Sequence, residues 1–180
     1  WPVMAGLLMA ATRPLLYLGM ARGPIAVFAP GYGLTMIAVP VLVGPFIGQR
    51  LTGVEVLGVV LAVPAVVLLS GEGGLPRIRD VVRSRVLGLA LVVGCSIGVA
   101  GILLTQADPA AGEVPALLVL LTGLVVLPAF ARARSESVWP DPVVRRFGLV
   151  LGCTSGMAIV LSTAAYLRGS AAVVTALIAL

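Results

Sequence analysis

Six runs of mostly apolar residues, each near the length of a membrane-crossing helix, follow one another along the chain, and nothing in it constrains the fold more. A spanning helix needs about 20 such residues. The runs are Val3 to Met20, Ile25 to Ile47, Val54 to Leu69, Val86 to Thr105, Pro115 to Ala131 and Phe147 to Leu167. Hydrocarbon offers backbone groups no hydrogen-bond partner, so only helices and closed barrels cross it. A barrel would show segments of about ten residues with alternating polarity; these runs are continuous and rich in Leu, Val and Ala. With 60% hydrophobic and 11% charged residues and a mean hydropathy of +1.17, the chain carries more apolar surface than one soluble domain of its length can cover. The expected fold class is all-α, a polytopic transmembrane helical bundle in contact with a lipid bilayer.

A further apolar stretch, Ser170 to Leu180, is 11 residues long, roughly 16 Å as a helix, too short to cross alone. Because the chain opens at Trp1 and stops inside this stretch, it is read as a fragment of a longer protein. The opening run is not read as a signal peptide: it lacks a basic n-region, and Arg13 interrupts what should be a purely apolar core.

Arg22-Gly-Pro-Ile-Ala-Val-Phe returns as Arg168-Gly-Ser-Ala-Ala-Val-Val, 146 positions later, each time at the seam between two apolar runs. Five runs separate the copies, and an odd number of crossings puts equivalent loops on opposite faces. The repeat is thus expected to be inverted, the architecture by which many secondary transporters expose one central site to each side in turn.

Proline inside these runs marks kinks rather than ends, because neighbouring helices can re-satisfy freed backbone groups. Pro30 and Pro40 both fall in the second run, making it the expected bent or discontinuous helix, with or without a site attached. All 12 basic residues are Arg and most flank the runs, so they are read as anchors rather than as a nucleic-acid surface. Arg22, Arg77, Arg79, Arg83, Arg85, Arg132, Arg134, Arg145 and Arg146 share one face, which the positive-inside rule makes cytoplasmic. The stretch Arg77 to Arg85 reads as a loop or as a short interfacial helix.

Enzyme chemistry finds little to work with. The chain has no His, its two Cys are too few for a metal site, no Ser has a plausible base partner, and Gly71-Glu-Gly-Gly lacks the rest of a phosphate loop. No cofactor, metal or catalytic residue is expected. Cys95 and Cys153 lie in Gly-Cys-Ser-Ile-Gly and Gly-Cys-Thr-Ser-Gly. There Gly94 with Gly98 and Gly152 with Gly156, like Gly44 with Gly48, have the spacing of close helix packing; alternatively, Ser96, Thr154 and Ser155 turn hydroxyls to a cavity. One charge sits at depth, Arg13 before Pro14. It reads either as a group meeting an anionic partner or as a side chain reaching the interface. Tyr17 shares its helix face at i+4, and Tyr32 and Thr35 are the next polar groups at depth. Arg13, Tyr17, Tyr32 and Thr35 form the candidate substrate-cavity lining.

Gly19-Met-Ala-Arg-Gly-Pro-Ile-Ala-Val, the Gly48-Gln-Arg-Leu-Thr turn and Glu55-Val-Leu-Gly-Val-Val-Leu resemble one half of an EamA-type transporter of the drug/metabolite transporter superfamily. The resemblance covers essentially the whole chain. It implies that residues 1–70 are the last three spans of a first half, 71–85 an Arg-rich interspan loop, and 86–180 the start of a second half, within an inverted five-plus-five helix repeat. It further implies secondary transport of small metabolites or drugs by alternating access. A small-molecule substrate and a plasma (inner) membrane location are expected, no nucleic-acid partner is expected, and a homodimer is left open. Three features depart from the family pattern: Gln49 replaces the acidic residue of the turn, Pro30 and Pro40 flank the expected proline position near Met36, and the usual layout would put the nine-Arg face outside. The alternatives from other classes are a non-transporting scaffold or assembly subunit, and a membrane enzyme whose catalytic residues lie outside the fragment.

Overall fold

A computed structural model describes residues 1–22, 25–48, 52–69, 85–133 and 142–179. Among them the regular structure is helical: α1 (Pro2–Arg22), α2 (Ile25–Val43), α3 (Gly53–Leu69), α4 (Arg85–Thr105), α5 (Val114–Ala133), α6 (Pro142–Arg168) and α7 (Ala171–Ala179), with short 3-10 turns at Gly44–Ile47 and Pro109–Ala111. Helices α1, α2, α4, α5 and α6 are long and apolar enough to cross a membrane. The protein is therefore a polytopic membrane helical protein. Helix α3 has 17 residues, at the short end of the spanning range, so of the six runs the third is the one whose described helix falls below the length of the others. Gly71-Glu-Gly-Gly and all of the Arg-rich stretch before Arg85 lie outside the described residues.

Helix α2 is continuous from Ile25 to Val43 although it contains Pro30 and Pro40, so of the two forms expected, bent or discontinuous, it is not the discontinuous one. The physical reason is visible at Pro40. Its ring removes the amide that would bond the Met36 carbonyl, and that oxygen lies so near Gly98 of α4 that a Cβ built there would be 3.0 Å away. Gly98, having no side chain, thus leaves the freed carbonyl room at the contact with α4. The end of α2 is set by Pro45 in the 3-10 turn and by Gly48, whose φ of 81° is the left-handed conformation that closes a helix at little cost for glycine.

Helix α4 is the centre of the bundle, packed along α2 and α1. Small residues one turn apart make this approach close: Ala90 meets Gly31, Gly94 meets the backbone of Tyr32 and the Thr35 side chain, and Gly98 meets Val39. Between lipid-like side chains the attraction is van der Waals contact, which small residues maximise by letting backbones approach. The packing reading of Gly94 and Gly98 therefore holds. It does not extend to Gly152 and Gly156, where an added Cβ would meet no atom within 4 Å, nor to Gly44 and Gly48, which sit in the turn after α2.

Phe28, Ala90 and Val93 form one buried cluster joining α1, α2 and α4. Ala5, Ala100, Leu104, Val119, Tyr166 and Val174 belong to a second that joins α1 and α4 to α5, α6 and α7. In a third, Ile37 of α2 and Val59 and Ala62 of α3 meet Ala172 and Ala176 of α7. The nine-residue α7 is thus held against α2 and α3. Residues 142–155 of α6, by contrast, are exposed throughout.

Candidate functional site

Arg13 lies eleven residues from Pro2 and nine from Arg22 within α1, about 16 and 14 Å from its two ends. That is nearer the middle of the helix than the apolar run suggested, because α1 continues to Arg22. Pro14, immediately after it, leaves α1 unbroken.

Two cavities flank α1 at this level. One, of about 290 Å³, is lined by Met9, Thr12, Arg13, Leu16 and Tyr17 of α1 and by Ile97 of α4. The other, of about 410 Å³, lies between α1, α5 and α6, with Arg13 joined by Leu124, Gly152, Ser155 and Ile159 among its walls. Met9 and Arg13 line both. They are one helical turn apart and share a face, as Arg13 and Tyr17 do.

Of the four residues expected to line a cavity, the structure brings Arg13 and Tyr17 together on the first. Tyr17 is 65% exposed, free to turn its hydroxyl to a ligand. Tyr32 and Thr35 sit instead at the contact of α2 with α4. The Tyr32 ring stacks at a tilt on Phe28, centroids 5.6 Å apart, beside Ala90 and Val93. Thr35 packs on Gly94 and donates its hydroxyl hydrogen to the Gly31 carbonyl at 2.7 Å.

The other hydroxyls show the same division. Thr12 donates to the Leu8 carbonyl at 2.6 Å, Ser96 to Val92 at 2.8 Å, and Thr154 to Val150 and Leu151 at 3.1 Å. Such bonds satisfy the hydroxyl within its own helix. The Ser155 hydroxyl has no hydrogen-bond partner among the described residues, and Ser155 lines the larger cavity. The Arg13 guanidinium likewise has no ion pair or hydrogen bond among them. Cys95 and Cys153 are free thiols, both exposed, and no group of His, Cys, Asp and Glu among the described residues could hold a metal.

In the sequence Ser155 stands only as an alternative cavity group, and nothing marks Met9 or Thr12. The spacing of Met9, Arg13 and Tyr17 carried the signal for a common helix face; which neighbour that face meets is a tertiary fact. No protein-family model, no curated protein and no solved structure gives a significant match to the chain.

Proposed function

We propose that the chain is part of a secondary transporter of small metabolites or drugs working by alternating access, built as the inverted five-plus-five helix repeat of the EamA-type family and located in the plasma (inner) membrane. The observation that carries the reading is Arg13: a cation near the middle of a membrane-length helix, unpaired among the described residues, and shared by two cavities. Ionisable groups at such depth are costly and mark substrate or ion pathways.

The packing of α7 on α2 supports the same reading. These are the helices that follow the two seam copies, and in an inverted repeat the elements after equivalent seams are partners across the pseudo-twofold axis. Ile37 with Ala172 and Ala176 belongs to that contact. The cavities lie between helices of a bundle and are of small-molecule size. None of the described groups forms a nucleophile with its base, so the reading assigns no enzymatic step. The exposed apolar half of α6 offers a face for further helices or for a second copy.

The test is reconstitution of the full-length protein in sealed proteoliposomes, followed by a metabolite screen for saturable uptake and counterflow. Stimulated exchange of at least one small molecule is the expected result. Uniformly passive permeability, equal to protein-free vesicles across a broad panel, would sink the proposal and favour a scaffold.

A further inference from the structure

The cavity between α1, α5 and α6 carries two polar groups of matching need. Arg13 presents a guanidinium that can only donate, and Ser155 a hydroxyl that the helix has not claimed. The surrounding wall is otherwise apolar, with Met9, Leu120, Leu124, Leu127 and Ile159 around it. Gly123, Gly152 and Gly156 contribute backbone rather than side chain, and the space over each is open. The lining therefore has one fixed positive charge, no negative one, and a long apolar flank.

We infer that this cavity binds an amphipathic organic monocarboxylate, its head on Arg13 and Ser155 and its tail along the leucines of α5. The inference names a substrate class for the transporter proposed above and rests on that reading for its purpose, though binding itself can be measured without transport. The sign of the ligand follows from Arg13, whose planar guanidinium fork donates only and matches a carboxylate. Its single charge follows from the count: one cation lines the cavity, so a dianion would leave an uncompensated charge in a medium of low dielectric. The apolar body follows from the walls, and the volume of about 410 Å³ falls within the about 300–1,000 Å³ of small-molecule sites.

Lipid tails are as apolar as leucine, so an alkyl chain gains little by leaving the bilayer for this cavity. The head must provide the discrimination. Octanoate, octanol and octylamine share a chain and differ in the head, which makes them the probes. The full-length protein is placed in nanodiscs of phosphatidylcholine, and binding of each labelled probe is measured by equilibrium dialysis at pH 7.5 against protein-free nanodiscs.

Octanoate is expected to bind saturably and at least about tenfold more tightly than octanol, as a hydrogen bond to a charged group implies. Octylamine is expected to show no saturable binding. Arg13→Gln should bring octanoate to the level of octanol, Arg13→Lys should weaken octanoate because the fork is lost yet keep it tighter than octanol because the charge remains, and Ser155→Ala should weaken it about threefold to tenfold. Gel filtration of each variant reports folding, and Arg13→Lys keeps the comparison informative if Arg13→Gln does not fold. Equal affinity for octanoate and octanol, or octanoate binding unchanged in Arg13→Gln, overturns the inference. So does displacement of octanoate by phosphatidylglycerol added to the nanodiscs, which would assign the site to a lipid headgroup. Octanoate binding without flux in proteoliposomes would leave the site standing and remove the transport reading; flux of other solutes without octanoate binding would do the reverse.

Discussion

The backbone carbonyl of Tyr32 lies over Gly94 so closely that a Cβ built on the glycine would stand 2.5 Å from the oxygen and 2.6 Å from the Thr35 Cβ. Neither atom is the loose end of a flexible side chain. Gly94→Ala must therefore move α4 against α2; overpacking of this kind costs about 1–3 kcal/mol, offset in part by the about 0.8–1.0 kcal/mol that alanine gains over a helical glycine. Gly152→Ala is the matched control on α6, where a Cβ meets nothing within 4 Å and alanine is the better helix former by about 0.8–1.0 kcal/mol. Thermal unfolding of the full-length protein in detergent should show the first variant clearly less stable than the second, and no loss for the second. Destabilisation by Gly152→Ala would mean that another helix packs on α6.

Gly19 and Phe28 make a second such pair across the α1 to α2 seam. The Phe28 ring, fully buried, occupies the space a side chain at position 19 would need. Gly19→Ala is expected to destabilise, and Phe28→Leu to restore part of the loss when combined with it, because the smaller side chain frees that space. A double-mutant cycle should give a coupling of about 0.5–3 kcal/mol. Simple additivity of the two changes would show that the ring does not lie on Gly19.

The register of α2 on α4 can be tested by cross-linking. A Cβ at Gly31 would be 3.1 Å from that of Ala90, slightly tighter than the about 3.5–4.5 Å of a disulfide. With Cys95 and Cys153 changed to Ser and a protease site placed within residues 71–84, Gly31→Cys with Ala90→Cys should keep the two fragments joined after oxidation and release them on reduction. Gly31→Cys with Gly88→Cys should not, since the space around Gly88 is open. Efficient linkage of the control instead would place α4 in a different rotation.

Arg13→Ala in the full-length protein should reduce substrate flux in proteoliposomes to the protein-free level without loss of folded protein, if the cation meets the substrate at mid-membrane. Arg13→Lys, which keeps the charge but not the planar fork, should retain measurable flux with a raised KM. Full flux in Arg13→Ala would make the residue an anchor for α1.

Much of the helix pattern was open to reading from composition. The apolar runs predicted α1, α4 and α5 to within a few residues because hydrocarbon length sets helix length. The start of α6 was missed: Pro142, Arg145 and Arg146 read as loop, yet they begin a 27-residue helix. Depth of charge depends on where a helix ends, so Arg13 moved toward mid-helix once α1 was seen to reach Arg22. Small-residue spacing was informative but not decisive. Gly94 with Gly98 and Gly152 with Gly156 read alike in sequence, and among the described residues the first pair alone has a partner helix on it, since rotation about a helix axis is set by neighbours rather than by the spacing itself. For the same reason Tyr32 and Thr35, polar and at depth, packed between α2 and α4, while Ser155 faced open space.

Met9 and Arg13 belong to the walls of both cavities, which makes α1 a partition between adjoining rooms. A tilt or rotation of that helix that carries these side chains into one space takes them out of the other. The two volumes thus share part of one wall, so a molecule seated on Arg13 from one side occupies a group that the opposite side would also use, with no signal having to travel beyond one turn of helix.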